Sequence, residues 1–189
     1  MIPRRTGLLL AVMVAVGGLA VVLGVALLFF RDDGGDDAVA SADREPLAGF
    51  GEVAVTVEAP GADGATRDYC LLLAETQEQR QRGLMDVTDP QLGGYDGMLF
   101  RFESEVEVGF WMKDTPMPLT VAYIGADGGL VSTADMEPCL GEAAAASNCP
   151  SYPPDGPYLR AVEVPQGGLV DLGLVPGSRF TDTVAPCST

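Results

Sequence analysis

Apolar residues follow two regimes along the chain. Residues 7–30 form an unbroken run of 24 uncharged positions, longer than the roughly 20 needed to cross a hydrocarbon core. Beyond residue 50 apolar and polar positions alternate, which is the period of half-buried strands. Val53, Val55 and Val57 mark a strand over residues 51–58. Tyr69, Leu71 and Leu73 share one face of a return strand over residues 67–74, with a hairpin signal at Ala62-Asp63-Gly64 between them.

One short helix interrupts this pattern. Thr76 is placed to cap it, and Gln79 three residues later completes a capping box. Glu78 in its first turn and Arg80 and Arg82 in its last match the helix dipole, and Gly83 ends it. A loop leads from Leu84-Met85 through Pro90 and Gly93-Gly94 to the densest part of the sequence. There Met98, Phe100 and Phe102 alternate, as do Val106, Val108, Phe110 and Met112, and then Leu119, Val121 and Tyr123. The polar turn Lys113-Asp114-Thr115-Pro116, followed by Pro118, separates the last two sets, and either X-Pro bond there is a candidate for the cis form. Ala126-Asp127-Gly128-Gly129 turns the chain into a strand over 130–134, and further strands are expected over 158–164, near 168–172 and over 179–184. Short strands, frequent turns and one helix predict a mostly β fold: a single antiparallel β-sandwich or barrel.

The flanks of the apolar run set its orientation. Arg4 and Arg5 precede it and Asp32, Asp33, Asp36 and Asp37 follow, which puts the N-terminus on the cytoplasmic side. The expected organisation is a cytoplasmic tip at 1–6, a transmembrane signal anchor at 7–30, a flexible acidic linker at 31–48 and an extracytoplasmic β domain at 49–189. A cleaved signal peptide is the alternative, since 38–40 and 40–42 carry small-residue cleavage patterns. Those sites lie well past the run, which also exceeds the usual apolar region of about 7–15 residues.

Charge narrows the partners. The chain carries 27 acidic and 11 basic residues, a net of −16. Beyond Arg31 only eight basic residues face all 27 acidic ones, so that part nets −19. Such a field repels nucleic acid and anionic lipid, and its simplest role is solubility. The four cysteines all follow the apolar run, on the oxidising side of a membrane. Of three possible pairings, Cys139–Cys149 across a short Ala-rich loop is favoured, leaving Cys70–Cys187 to tie the C-terminal tail to a strand. No histidine, no paired-cysteine spacing and no EF-hand loop is present, so neither a metal nor a cofactor is expected.

Without histidine, Ser-His-Asp and Cys-His catalysis are excluded. Lys113, the chain's only lysine, stands beside Asp114 and Thr115. Together with Trp111 and Glu163 it forms the first candidate site, able to hold an anionic group or to act as a base if desolvated. The competing reading is a structural Lys113–Glu163 or Lys113–Asp114 ion pair. A second candidate is a carboxylate pair for glycoside hydrolysis, Glu163 with Glu103 or Glu105. A third is Cu(I) binding by Met85, Met98, Met112, Met117 and Met136, but Met98 and Met112 fall on the apolar phase of their strands, where methionine is core filler. Trp111, Tyr123, Tyr152 and Tyr158 supply faces suited to stacking on a sugar.

These residues also carry a resemblance. Arg82-Gly83-Leu84-Met85, Gly97-Met98-Leu99-Phe100-Arg101-Phe102, Phe110-Trp111-Met112-Lys113, Thr115, Pro118-Leu119, Glu163-Val164, Gly167 and Gly177 occur in an order similar to that of the domain of unknown function 192 family. Cys149 with Tyr152 resembles a family variant with a Cys-x-x-Tyr insertion, and the similarity spans about residues 52–184. The resemblance implies a compact, mostly antiparallel, jelly-roll-like β domain, often behind an export signal or anchor, with no settled activity. Three positions depart from the family pattern: Asp86 in place of Arg, Asp114 in place of Asn, and Thr120 in place of Asp.

The function expected from all this is a binding or accessory module for a cell-envelope carbohydrate, peptide or small anion. The alternatives are a hydrolase using Lys113 or a carboxylate pair, and a structural partner of another envelope protein.

Overall fold

The computed structural model describes residues 44–61, 64–183 and 185–187. The expected anchor at 7–30 and Ala62-Asp63 of the expected hairpin lie outside the described residues. Among the described residues, no helix is long and apolar enough to cross a membrane.

The fold is mostly β. In chain order it contains β1 (Gly51–Glu58), β2 (Thr66–Ala74), α1 (Gln77–Arg82), β3 (Met98–Val106), β4 (Phe110–Trp111), β5 (Leu119–Ile124), β6 (Leu130–Met136), α2 (Gly141–Ala145), β7 (Ser151–Tyr152), β8 (Tyr158–Pro165) and β9 (Arg179–Asp182). Seven strands make one sheet in the order β6-β5-β8-β3-β2-β1-β9, while β4 and β7 pair separately.

One mixed, unclosed sheet replaces the expected antiparallel sandwich or barrel, and one pairing in it shapes everything else. β2 and β3 run parallel, with Leu72, Leu73 and Ala74 opposite Met98, Leu99 and Phe100. Parallel neighbours require a crossover of a dozen or more residues, and the segment between them, which carries α1, is that crossover. The sheet is therefore mixed, and it curls without closing. Its far edge touches the β5–β6 turn through an isolated bridge, Gly129 to Arg179, the Phe180 amide donating to the Gly128 carbonyl at 2.8 Å, and the Arg179 guanidinium donating to the Asp127 carbonyl.

Both faces of the sheet are covered, which explains why all six residues of β5 are buried. Inside the curl lie Val53, Val55, Val57, Leu99, Val162 and Phe180, capped by Leu169, Leu172 and Leu174. The other face packs Leu72, Met98, Phe100, Val121, Tyr123 and Tyr158 under Leu84, Met112 and Met136. Met98 and Met112 are completely buried, so they act as core.

Several local expectations change. Residues 168–172 form a 3-10 turn, Gly168–Val170, instead of a strand. The Cys139–Cys149 loop contains a second short helix, α2. The 106–112 alternation yields only the two-residue β4, and Val108 is exposed. No cis peptide bond occurs among the described residues. Residues 44–48, expected to be linker, lie against the domain: the Glu45 amide donates to the Gly93 carbonyl at 2.8 Å, and the Arg44 guanidinium lies 5.8 Å from the Tyr95 ring centroid. Both disulfides are present, Cys70–Cys187 and Cys139–Cys149, with Cα separations of 5.6 and 5.8 Å.

Candidate functional site

The candidate site is assembled where α1 ends above the centre of the sheet. Thr76 Oγ1 accepts from the Gln79 amide at 3.2 Å, and Gln79 Oε1 accepts from the Thr76 amide at 2.9 Å, fixing the start of the helix. Gly83 ends it with φ 48° and ψ −132°, a conformation that favours glycine. A Cβ there would lie 3.2 Å from Phe100 Cζ and 3.9 Å from Glu163 Oε2. The bare backbone of Gly83 therefore roofs a small niche, with Glu163 at its base. Gly97 contributes from below, because a Cβ at that position would meet the Glu163 carbonyl oxygen at 2.8 Å.

Glu163 sits in mid-β8, opposite Met98 on one side and Val121 on the other. It is 4% exposed, on the face shared with Phe100 and Tyr123. Among the described residues no hydrogen bond or ion pair reaches its carboxylate. Burial alone pushes its pKa up to about 8, since desolvation penalises the charged form. Burial likewise raises Tyr123 to about 12, with the nearby Glu163 charge adding to it.

The niche has a volume of about 30 Å³ and is lined by residues that include Phe100, Phe110, Trp111, Thr115 and Glu163. Arg80 and Arg82 border it too, but their guanidiniums are engaged elsewhere. Arg80 Nη1 donates to the Arg101 carbonyl at 2.8 Å and its guanidinium lies 4.9 Å over Phe102, while Arg82 lies 4.0 Å over Phe50. Larger clefts exist, of about 330 and 430 Å³, beside Leu47 and Val87. They are open grooves without a convergent set of polar groups, and size does not make them better sites.

The five residues singled out by sequence are only partly brought together. Trp111, Thr115 and Glu163 line the niche; Lys113 and Asp114 do not. The Lys113 ammonium lies 5.7 Å from the centroid of Trp111, and no ion pair joins it to Glu163 or Asp114 among the described residues. Asp114 instead forms the tight turn behind the site. Its φ is 54°, and its amide donates to the Cys139 carbonyl at 2.9 Å. Cys139 in turn donates its amide to Met112, so the disulfide loop clamps the turn that carries Thr115. Glu103 and Glu105 are exposed on a bulge of β3 facing the Tyr158 end of β8, away from Glu163, and neither lines the niche.

Gly83, Phe100 and Phe110 belong to the site although their side chains carry no chemistry that sequence reasoning could single out. Their only signal is membership of the Arg-Gly-Leu-Met, Gly-Met-Leu-Phe and Phe-Trp-Met-Lys segments. Of the departures from the family pattern, Thr120 is structural: its hydroxyl donates to Asp135 at 2.6 Å and accepts from the Gly167 amide at 3.0 Å. For metal ligands, the one candidate group among the described residues is Glu52 with Cys70 and Cys187, and those two sulfurs are bonded to each other.

The arrangement of Gly83 over Phe100, with Phe110-Trp111 beside it and Glu163-Val164 below, uses the segments that carry the resemblance. The model of the family described as "Uncharacterized ACR", domain of unknown function 192, matches residues 60–181. The chain belongs to this family. Two solved structures are similar to this DUF192 chain. One, from Novosphingobium aromaticivorans, is a protein of unknown function: 29% identity, TM-score 0.59, covering 75% of this chain and 94% of that one. The other, from Sinorhizobium meliloti, is named as a proposed transcription regulator: 28% identity, TM-score 0.57, covering 70% of this chain and 95% of that one. No curated protein matches.

Proposed function

We propose that this DUF192 domain is a membrane-tethered, extracytoplasmic binding module that captures a small polar group of a cell-envelope ligand in the niche above Glu163. The observation that carries this reading is the Glu163 carboxyl itself, 4% exposed, without a partner among the described residues, and at the base of an open niche. Leaving a buried carboxyl unpaired costs several kcal/mol, roughly 3–5 when it must ionise. Such a cost is tolerated where a ligand supplies the missing partner. Trp111, 43% exposed at the rim, offers a face for the rest of the ligand.

The tether rests on the uncharged run at 7–30 and its flanking charges. An oxidising location fits the two disulfides. A small anion becomes the least favoured of the three ligand classes, because the niche presents a carboxyl and Lys113 stands outside it. A net charge of −16 also argues against nucleic acid, so the name of the Sinorhizobium protein is not carried over.

The hydrolase reading has one observation in its favour: a carboxyl titrating near 8 is poised as a general acid. Glycoside hydrolysis needs a second carboxylate within about 5–9.5 Å, and no other carboxylate lines the niche.

The test uses Trp111, the only tryptophan, as its reporter. Enzymatically released cell-wall fragments and neutral oligosaccharides are titrated into the full-length protein and into Glu163→Gln while indole emission is followed. A saturable change that the variant loses is expected. No change with any fragment would overturn the binding-module reading.

A further inference from the structure

We propose that the group the niche accepts is a primary ammonium, carried on a slender stem such as a lysine side chain. This rests on the binding-module reading and deepens it.

Size gives the first constraint. About 30 Å³ is room for two or three water-sized groups, each of which needs roughly 10–15 Å³ of such space. A sugar ring or a peptide unit cannot enter; a single polar terminus can.

Chemistry gives the second. Among the lining side chains, Glu163, Thr115 and Gln81 offer acceptor oxygens, and Phe100, Phe110 and Trp111 offer aromatic surface. Thr115 Oγ1 directs its hydrogen to the Lys113 carbonyl at 3.3 Å, which leaves its lone pairs free to accept. A carboxylate arriving here would have to share the one proton that Glu163 keeps below about pH 8, and above it would meet like charge. A hydroxyl would bring one donor and no compensating charge. An ammonium brings three donors and the charge that a buried carboxylate lacks. On entry it would hold Glu163 ionised, with the displaced proton released to solvent.

The third constraint comes from the protein's own cation. The Lys113 ammonium already rests 5.7 Å from the Trp111 centroid, within cation–π range. The indole face at the rim therefore tolerates an ammonium. The guanidiniums of Arg80 and Arg82 are turned onto Phe102 and Phe50, so neither supplies the charge that Glu163 lacks. The net charge of −19 beyond Arg31 steers cations toward this part of the chain as a whole.

The experiment titrates the full-length protein at pH 7.0, where all the amine probes are ammonium ions, and at constant ionic strength, following Trp111 emission. The first probes are methylammonium chloride and methanol; Nα-acetyl-lysinamide and glycinamide follow as carriers. Saturable changes are expected with methylammonium and Nα-acetyl-lysinamide and none with methanol. Glu163→Gln should weaken both responses at least tenfold, and Thr115→Val, which keeps the side-chain shape, severalfold. Glycinamide binding as tightly as Nα-acetyl-lysinamide would support the ammonium while placing it on a peptide N-terminus. Methanol matching methylammonium would overturn the ammonium assignment and leave the binding module standing. Cell-wall fragments binding where no amine does would have the same meaning. Amine binding that survives both substitutions would overturn the proposal as well.

Discussion

The amide of Asp86 donates to the carbonyl oxygen of Asp114 at 2.8 Å, and both residues hold left-handed backbones, with φ of 61° and 54°. Two of the three departures from the family pattern are thus neighbours in one backbone arrangement. Asp and Asn tolerate this region better than other non-glycine residues, whereas β-branched residues do not. Asp114→Asn should leave stability within about 0.5 kcal/mol, the range of neutral surface changes. Asp114→Val should cost about 1–2 kcal/mol from the left-handed backbone. Urea denaturation of the three proteins checks this; an equal midpoint for Asp114→Val would remove the conformational argument.

Glu163 predicts an unusual pH dependence. Its folded pKa, about 8, lies above its ordinary value of 4.5. Below 4.5 the group is protonated in both states and costs nothing. Between 4.5 and 8 the unfolded chain gives up the proton while the folded one keeps it. Stability therefore falls as pH rises through this window, and levels off above it. The loss is on the order of 4–5 kcal/mol, since each pH unit between the two values contributes about 1.4 kcal/mol. Glu163→Gln should match the parent near pH 4.5 and exceed it at pH 8.5. Thermal melts at the two pH values would show this, and parallel behaviour of the two proteins would contradict it.

Arg101 and Arg160 stand directly opposite each other across β3 and β8, where like charges repel. Asp182 lies between them, accepting from each Nε at 2.8 Å with its side chain 11% exposed. Arg101 Nη2 also donates to the Thr183 carbonyl at 2.8 Å. Asp182→Ala leaves two half-buried arginines facing each other and should cost about 3 kcal/mol, the low end for breaking a buried pair. The loss should exceed that of a surface pair in a chemical denaturation series; a change under about half a kcal/mol, the size of a neutral surface substitution, would rule out this role.

The two disulfides should separate in their effects. Cys70–Cys187 closes a sequence separation of 117 and Cys139–Cys149 one of 10. Chain-entropy arguments give about 5 and 3 kcal/mol respectively. The double serine variant at 70 and 187 should therefore melt lower. The variant at 139 and 149 should be the one that alters Trp111 emission, since Cys139 clamps the turn beside it. The reverse pattern in melting and fluorescence would refute this division.

Local rules carried well into three dimensions. Residues 51–58 form the strand that Val53, Val55 and Val57 announce, because an edge-proximal strand with one buried face shows its period openly. The Thr76–Gln79 box is made of neighbours and needs no tertiary information. What was hidden depends on partners distant in sequence. The parallel pairing of β2 with β3 cannot be read from alternation, which is the same for either direction. Residues 168–172 are apolar because they cap the inside of the curl, and burial alone imitated a strand. At the site, Trp111, Thr115 and Glu163 are recognisable by type, but the turn at Asp114 sends Lys113 over the indole. Only the path of the chain decides that, and it separates two charges that sequence alone would pair.

The curl of the sheet has a further consequence for how the domain behaves in company. Strand edges with free amides and carbonyls invite another chain to add a strand and start aggregation. Here β9 is four residues long, and Phe180 spends its amide on Gly128. At the opposite margin, Ser132 accepts from the Asp155 amide at 3.0 Å and the Tyr152 hydroxyl accepts from the Glu137 amide at 3.1 Å. Among the described residues, then, the β9 margin is short and partly spent, and the chain at 152–155 runs beside β6. Copies meeting at high concentration would therefore find little to pair with along β9.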